Sequence, residues 1–332
     1  MTTIREVAKK AGVSPTSVSH VVNNTRFVSD DVRERVKAAM RELNYRPNAL
    51  ARSLRRGETH TLGLILPDSA NPFFAEVGHA IESASFSFGY SVILCNTEND
   101  ENKERLYTEV LENKQLDGII FVGAGGNREA ISEVVQNGLP LVVVDRDMGN
   151  LELDTVTTEN YQGGLLATQH LLSLGHQVIA CITGPSNISP SADRVTGYRA
   201  ALQQAGIPVK ESLLVRGDFH APSGYSAALQ LLQLTPRPTA IFVCNDMMAI
   251  GALRAAAQLE LNVPNNVAIV GFDDIELASY ITPSLTTIAQ PKQEIGQLAV
   301  KLLFERIRNP SLPPRHNILS TQLVVRESST RL

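Results

Sequence analysis

Several clusters of hydrogen-bonding and aromatic side chains in this chain sit just past short strand-like runs. They are Asn71-Pro-Phe73-Phe74, Asp145-Arg146, Arg194, Phe219, Asn245-Asp246, Asp273-Asp274 and Gln290. Aromatic faces pack against the C–H side of a sugar ring. Asp, Asn, Gln and Arg satisfy its hydroxyls, Arg with a planar fork. A sugar phosphate would ask for more cations or a glycine-rich cradle. Each residue alone has a plainer reading: Phe73 and Phe74 as core, Asp145-Arg146 as a surface pair, Asn245 as a helix cap. Their shared placement points to one polyhydroxylated ligand.

Catalytic chemistry has little support. There is no Ser-centred GxSxG elbow and no HxxxH or HxH metal spacing among the seven histidines. Gly123-Ala-Gly125-Gly126 follows an apolar run but lacks the third-glycine spacing of a dinucleotide loop, so it reads as a flexible loop. Cys95, Cys181 and Cys244 each end an apolar run and show no CxxC pairing, as buried reduced thiols would. No signal-like or membrane-length apolar segment stands at the start, and a cytoplasmic location fits.

The elements that must hold the clusters alternate. Leu62–Leu66, Ser91–Cys95, Gly118–Val122 and Leu141–Val144 read as strands between helical stretches. The rhythm repeats near Val178–Ile182, Leu213–Val215, Ala240–Val243 and Val267–Val270. This predicts two similar α/β lobes with parallel sheets, whose strand carboxyl ends border a cleft.

The first 60 residues differ. They hold 12 Lys/Arg against 6 Asp/Glu, whereas the rest holds 18 against 28. A basic head on an acidic body suggests that the head alone meets nucleic acid, although a solvated charged helix face gives the same balance. Ile4, Val7, Ala8 and Ala11 recur at helical spacing, and Gly12 suits a left-handed C-cap. Ser14 and Pro15 open a second helix. Its Val18, Val21 and Val22 face inward, and Thr16, Ser17, Ser19 and His20 face outward. Two short helices with a tight turn fit a major groove. A third helix is expected from Asp30 to about Leu43 with Ser29 as cap, burying Val32, Val36, Ala39, Met40 and Leu43. Ala49–Leu54 is a short helix-capable segment, marginal unless DNA or a partner chain holds it, and otherwise a plain linker.

The segments TIREVAKKAGVS, SVSHVVNN and RELNYRPNALARSL resemble the DNA-binding domain of the LacI/GalR family. HTLGLILPDSANPFF, GHQVIACITGP, RVTGYRAAL, FVCNDMMAIGAL and VGFDDIELASYITPSLTTIAQP resemble that family's periplasmic-binding-protein-like core. The resemblance implies an N-terminal all-α helix-turn-helix domain (1–46) and a hinge helix with linker (47–60). A two-lobed type I core follows over 61–332, with one lobe at 61–160 and 291–320 and the other at 161–290 and 321–332.

The resemblance also assigns roles. Thr16, His20 and Arg26 would contact bases, and Ser17 and Asn23 phosphates. Pro15 departs from the Ser or Thr common in relatives and leaves the fine operator sequence open. Leu54 would wedge into a minor-groove step, with Ala51, Arg52 and Arg55 along the groove. In the cleft, Asn71, Asp145, Arg146, Arg194, Asn245, Asp273 and Gln290 would bind hydroxyls while Phe73, Phe74 and Phe219 sandwich the ring. This set is similar to that of ribose-binding members and of the exported ribose binder. The implied protein is a cytoplasmic homodimer on pseudo-palindromic double-stranded operator DNA, with D-ribose or a similar sugar as effector and no cofactor, metal or membrane. No heptad tail follows Arg326, which argues against a coiled-coil tetramer.

Other readings stay open at this level: a purine-type member whose ligand promotes DNA binding, a global regulator using a phosphocarrier protein, a regulator of another pentose or hexose, and a sugar receptor without DNA function.

Overall fold

The computed structural model describes residues 2–24, 26–45, 58–123, 128–146, 148–149, 151–185 and 189–330. The chain divides into two compact units, Met1–Thr59 and His60–Leu332.

In the first unit, helix α1 spans Ile4–Ala11, α2 spans Pro15–Asn23 and α3 spans Asp30–Glu42. Thr3 and Glu6 form a reciprocal capping box at the start of α1, and Gly12 ends it at φ 65°. Ser14 Oγ accepts the Ser17 N–H at 3.1 Å to open α2. Ser29 occupies the N-cap position of α3, but its hydroxyl accepts no helix N–H, which corrects the expected cap. Val7, Ala8, Ala11, Val18, Val21, Val36 and Ala39 form the buried centre. Val32, Met40 and Leu43, expected to be buried, are half-buried at its edge. Arg35 reaches from α3 to the Ala11 carbonyl at 3.2 Å and ties the third helix to the end of the first.

Among the described residues, the second unit holds two six-stranded sheets. The first lobe runs β1 (Thr61–Leu66), α4 (Pro72–Ser87), β2 (Ser91–Asn96), α5 (Glu101–Asn113), β3 (Gly118–Val122), α6 (Arg128–Gln136), β4 (Leu141–Val144) and β5 (Asp154–Thr158). The second runs α7 (Asn160–Ser173), β6 (Ile179–Thr183), α8 (Ser189–Gln204), β7 (Leu214–Arg216), α9 (Ala221–Leu232), β8 (Ala240–Val243), α10 (Asp246–Gln258), β9 (Ala268–Asp273), α11 (Leu277–Tyr280) and β10 (Thr286–Ala289). Helix α12 (Lys292–Arg308) returns to pack on α4 and the first sheet. Strand β11 (His316–Leu319) then joins the first sheet and β12 (Gln322–Val324) the second.

The strand orders are β11-β5-β4-β3-β1-β2 and β12-β10-β9-β8-β6-β7. Among the described residues the pairings are parallel, as expected, with one antiparallel pair, β12 with β10, at the edge of the second sheet. Fully buried apolar strands such as Gly118–Val122 and Ala240–Val243 are what two-sided helical cover demands.

β5, β10, β11 and β12 lie outside the expected strand set. β5 (DTVTT) and β10 (TTIA) are threonine-rich and show no continuous apolar run. Buried hydroxyls there are satisfied internally: in β10, Thr287 donates to Asp246 Oδ1 at 2.6 Å and Thr286 to the Arg326 carbonyl at 2.9 Å, and in β5, Thr158 donates to Gln290 at 2.7 Å. Asp154, fully buried, takes Arg306 at 2.9 Å and Arg315 at 3.0 Å, pinning α12 and the approach to β11 onto β5. A buried charge of this kind persists only because it is paired.

Candidate ligand cleft and DNA-reading head

Asn71 caps α4 by accepting the Phe73 N–H at 3.1 Å, and Pro72 occupies the first turn. The cap fixes where Phe73 and Phe74 emerge, edge to face with centroids 5.2 Å apart. Asp145 and Arg146 follow β4 directly, Asp145 in the left-handed region at φ 55°. From the second lobe, Arg194 projects from α8, Phe219 from the loop before α9 at φ 73°, and Asp273 from the end of β9. Asn245 caps α10 through Met248 N at 2.9 Å and donates its amide to the Phe219 carbonyl at 3.0 Å. Its capping role and its place in the cleft are compatible.

These residues line one cavity of about 680 Å³ between the carboxyl edges of the two sheets. Gln290 is the exception among the expected ligands. It lies behind the wall, accepting the Thr158 hydroxyl at 2.7 Å and donating to Asp273 Oδ1 at 2.8 Å. Asp145 and Arg146 are not a surface pair. Both are buried, and Arg146 instead forms a two-pronged bond to Glu104 at 3.2 and 3.4 Å while donating to the Gly123 carbonyl at 2.8 Å.

Arg194 is held on all sides. It donates to Asn160 Oδ1 at 2.8 Å and to the Cys244 carbonyl at 2.6 Å, stands 3.6 Å from Asp273 Oδ1, and lies 3.7 Å above the Phe272 ring. Among the described residues, Asp145 Oδ1 is buried and has no hydrogen-bond partner. Burial raises its carboxyl to about 7. The charges of Arg194 and Arg146 oppose this shift, and that of Asp273 reinforces it. Burial likewise raises Asp273 to about 6 against Arg194, the Gln290 bond and Lys292. Arg146 and Arg194 are already matched by carboxylates, and an acceptor oxygen awaits a donor. The cavity therefore suits a neutral polyhydroxylated ligand better than an anion.

Sequence reasoning missed Asp68, Asn99, Glu101, Arg128, Asp218 and His220, which also line the cavity. Asp68, Asn99 and Asp218 stand two or three residues past β1, β2 and β7, so the same strand-end rule, applied more widely, would have found them. Arg128, at the start of α6, carried no such signal.

In the head, Thr16 is exposed on α2, Ser17 and His20 are half-buried, and Arg26 is exposed beyond the helix. Ser17 Oγ lies 3.0 Å from Ser14 Oγ, and Asn23 donates to the Ser19 carbonyl at 2.8 Å. Ala51, Arg52, Leu54 and Arg55 lie outside the described residues.

Residues 59–325 match the family model of periplasmic binding proteins and sugar binding domain of the LacI family, and residues 3–48 match that of bacterial regulatory proteins, lacI family. The chain belongs to the LacI family. This LacI-family protein is similar to the ribose operon repressor of Escherichia coli (strain K12), at 43% identity covering 99% of this chain and all of that protein. It is also similar to the HTH-type transcriptional repressor PurR of Photobacterium profundum, at 39% identity covering 99% of this chain and 98% of that protein. Among solved structures, the Lac repressor dimer bound to operator and the anti-inducer ONPF superposes with a TM-score of 0.90, at 30% identity over 99% of each chain. A LacI family transcriptional regulator from Enterococcus faecium with bound ribose superposes at 0.75, at 33% identity covering 82% of this chain and 99% of that one.

As a family member the protein is a DNA-binding transcriptional repressor with a helix-turn-helix head and a periplasmic-binding-like core, and not an enzyme. Among the described residues no helix is long and apolar enough to cross a membrane, and no group of three or more His, Cys, Asp or Glu is placed to hold a metal ion.

Proposed function

We propose that this repressor is a homodimer that grips a pseudo-palindromic operator with paired helix-turn-helix heads and releases it when D-ribose, or a closely similar sugar, enters the cleft. One helix-turn-helix alone gives weak, salt-sensitive binding. Two on a two-fold axis read both half-sites together, for a specific affinity of about 10⁻⁸ M or tighter. Thr16, His20 and Arg26 read bases, Ser17 and Asn23 hold phosphates, and Leu54 with Ala51, Arg52 and Arg55 serves the minor groove. Such a protein works in the cytoplasm, where its operator lies.

The observation that carries the effector class is the buried, unpartnered Asp145 oxygen beside two neutralised arginines and the aromatic trio Phe73, Phe74 and Phe219. A sugar hydroxyl supplies the missing donor. The ribose operon repressor relative and the ribose-bound neighbour support D-ribose among sugars. The ligand moves DNA affinity only by its differential affinity for two lobe arrangements, commonly about 1–3 kcal/mol.

The relatives called PurR favour a second reading, a purine that promotes operator binding. Calorimetric titration with D-ribose, other pentoses, fructose and hypoxanthine separates the two. Selective micromolar binding of D-ribose is expected. Heat from hypoxanthine with none from ribose would overturn the sugar assignment.

A further inference from the structure

His220 spans the mouth of the ligand cavity. It stands in the turn before α9 on the second lobe, and its Nε2 lies 3.3 Å from Oδ2 of Asp68, in the loop after β1 on the first lobe. Its Nδ1 lies 3.0 Å from the Asp218 carbonyl and 3.4 Å from Asp218 Oδ1. Every one of these neighbours is an oxygen acceptor. The ring therefore stands between acceptors on the two lobes, Asp68 on one and Asp218 on the other.

The surrounding turn aims these groups. Asp68 Oδ1 accepts the Ala70 N–H at 2.9 Å, which directs Oδ2 across the cavity. Asp218 Oδ1 accepts the His220 N–H at 2.9 Å, and Ser223 donates to the His220 carbonyl at 2.9 Å. Partial burial pushes the Asp218 carboxyl up, but bonds from Ser223 and His220 and the histidine's charge outweigh it and leave it below its ordinary value. Among the described residues, Asp68 and Asp218 are the charged groups within ion-pairing distance of His220.

We propose that His220 is a positioning residue of the ligand site, whose imidazole bridges Asp218 to Asp68 and holds the two lobes closed over the cavity. The inference rests on the reading of this cavity as the effector site. The pair is partly exposed, so the effect is modest, about two- to fivefold in the closed-to-open ratio.

The test places one reporter label on each lobe of the full-length protein and reads the interlobe distance at one fixed pH, first without ligand and then with D-ribose as probe. His220→Gln and Asp68→Asn are expected to lower the closed population about two- to fivefold relative to wild type. His220→Lys, which restores a donor between the two carboxylates, is expected to recover it. A His220→Gln distance distribution identical to wild type would overturn the proposal. Failure of D-ribose to close the wild type would count against the effector assignment, while the ligand-free distributions still decide the latch.

Discussion

Gln290 donates its side-chain amide to Asp273 Oδ1 at 2.8 Å. The same amide's oxygen accepts the hydroxyl of Thr158, the last residue of β5, at 2.7 Å. Gln290 follows β10 and Thr158 precedes α7, so one side chain joins two crossovers between the lobes and orients a carboxylate in the cavity wall. The Gln290→Ala variant leaves a buried hydroxyl and a carboxylate oxygen without that partner, at a cost of about 1–3 kcal/mol. Thermal unfolding of the core is expected to fall accordingly, and calorimetry to show sugar affinity about tenfold weaker.

Asp145 makes an opposite trade. Its carboxyl is raised from an ordinary 3.8 to about 7, so the fold disfavours the ionised form. That cost is fully present above pH 7, shrinks as pH falls through 7, and is gone below the ordinary value. The ligand-free Asp145→Asn variant is therefore expected to be more stable than wild type near pH 8, by on the order of 2 kcal/mol, with the gain vanishing toward pH 4. Its sugar affinity falls at pH 8 because the strongest acceptor is gone. Denaturant unfolding at the two pH values and one calorimetric titration check both halves.

Gly184 lets the Phe219 ring lie against the backbone. A Cβ there would stand 2.2 Å from Phe219 Cζ. Gly184→Ala must displace the ring, at about 1–3 kcal/mol of overpacking. Sugar binding is expected to weaken severalfold or more while operator affinity without sugar stays near wild type, as mobility shift and calorimetry together would show.

Ser14 caps the helix assigned to the major groove. Ser14→Ala is expected to destabilise the head by about 1 kcal/mol. Operator binding then weakens up to about fivefold with sugar affinity unchanged, because the cap lies in the first compact unit. Equal losses in both activities would contradict that division of labour.

The sequence was most legible where burial and period coincide. The apolar runs of β1, β3, β4 and β8 and the valines of α2 declared themselves, and most of the polar residues singled out after the strands fell into one cavity. Legibility failed where polar groups are buried by mutual satisfaction. Threonines in β10 pack inside because Asp246 and the Arg326 carbonyl accept from them, and Thr158 of β5 because Gln290 does. Glu104 sits on α5 with no local mark of its role, yet it neutralises Arg146. Gln290 was read as a ligand because it follows a strand, but the turn after β10 directs it into the crossovers instead of the cavity. Such pairings join residues far apart in the chain, and no local pattern reports them.

The most direct test of the central claim is a fluorescence-anisotropy titration of the dimer on a labelled palindromic operator, selected with this protein from a random duplex pool. The complex is then challenged with D-ribose or hypoxanthine. The account predicts tight, salt-sensitive binding that D-ribose weakens about 5- to 150-fold, with hypoxanthine inert. Tightening by hypoxanthine with no response to D-ribose would contradict it.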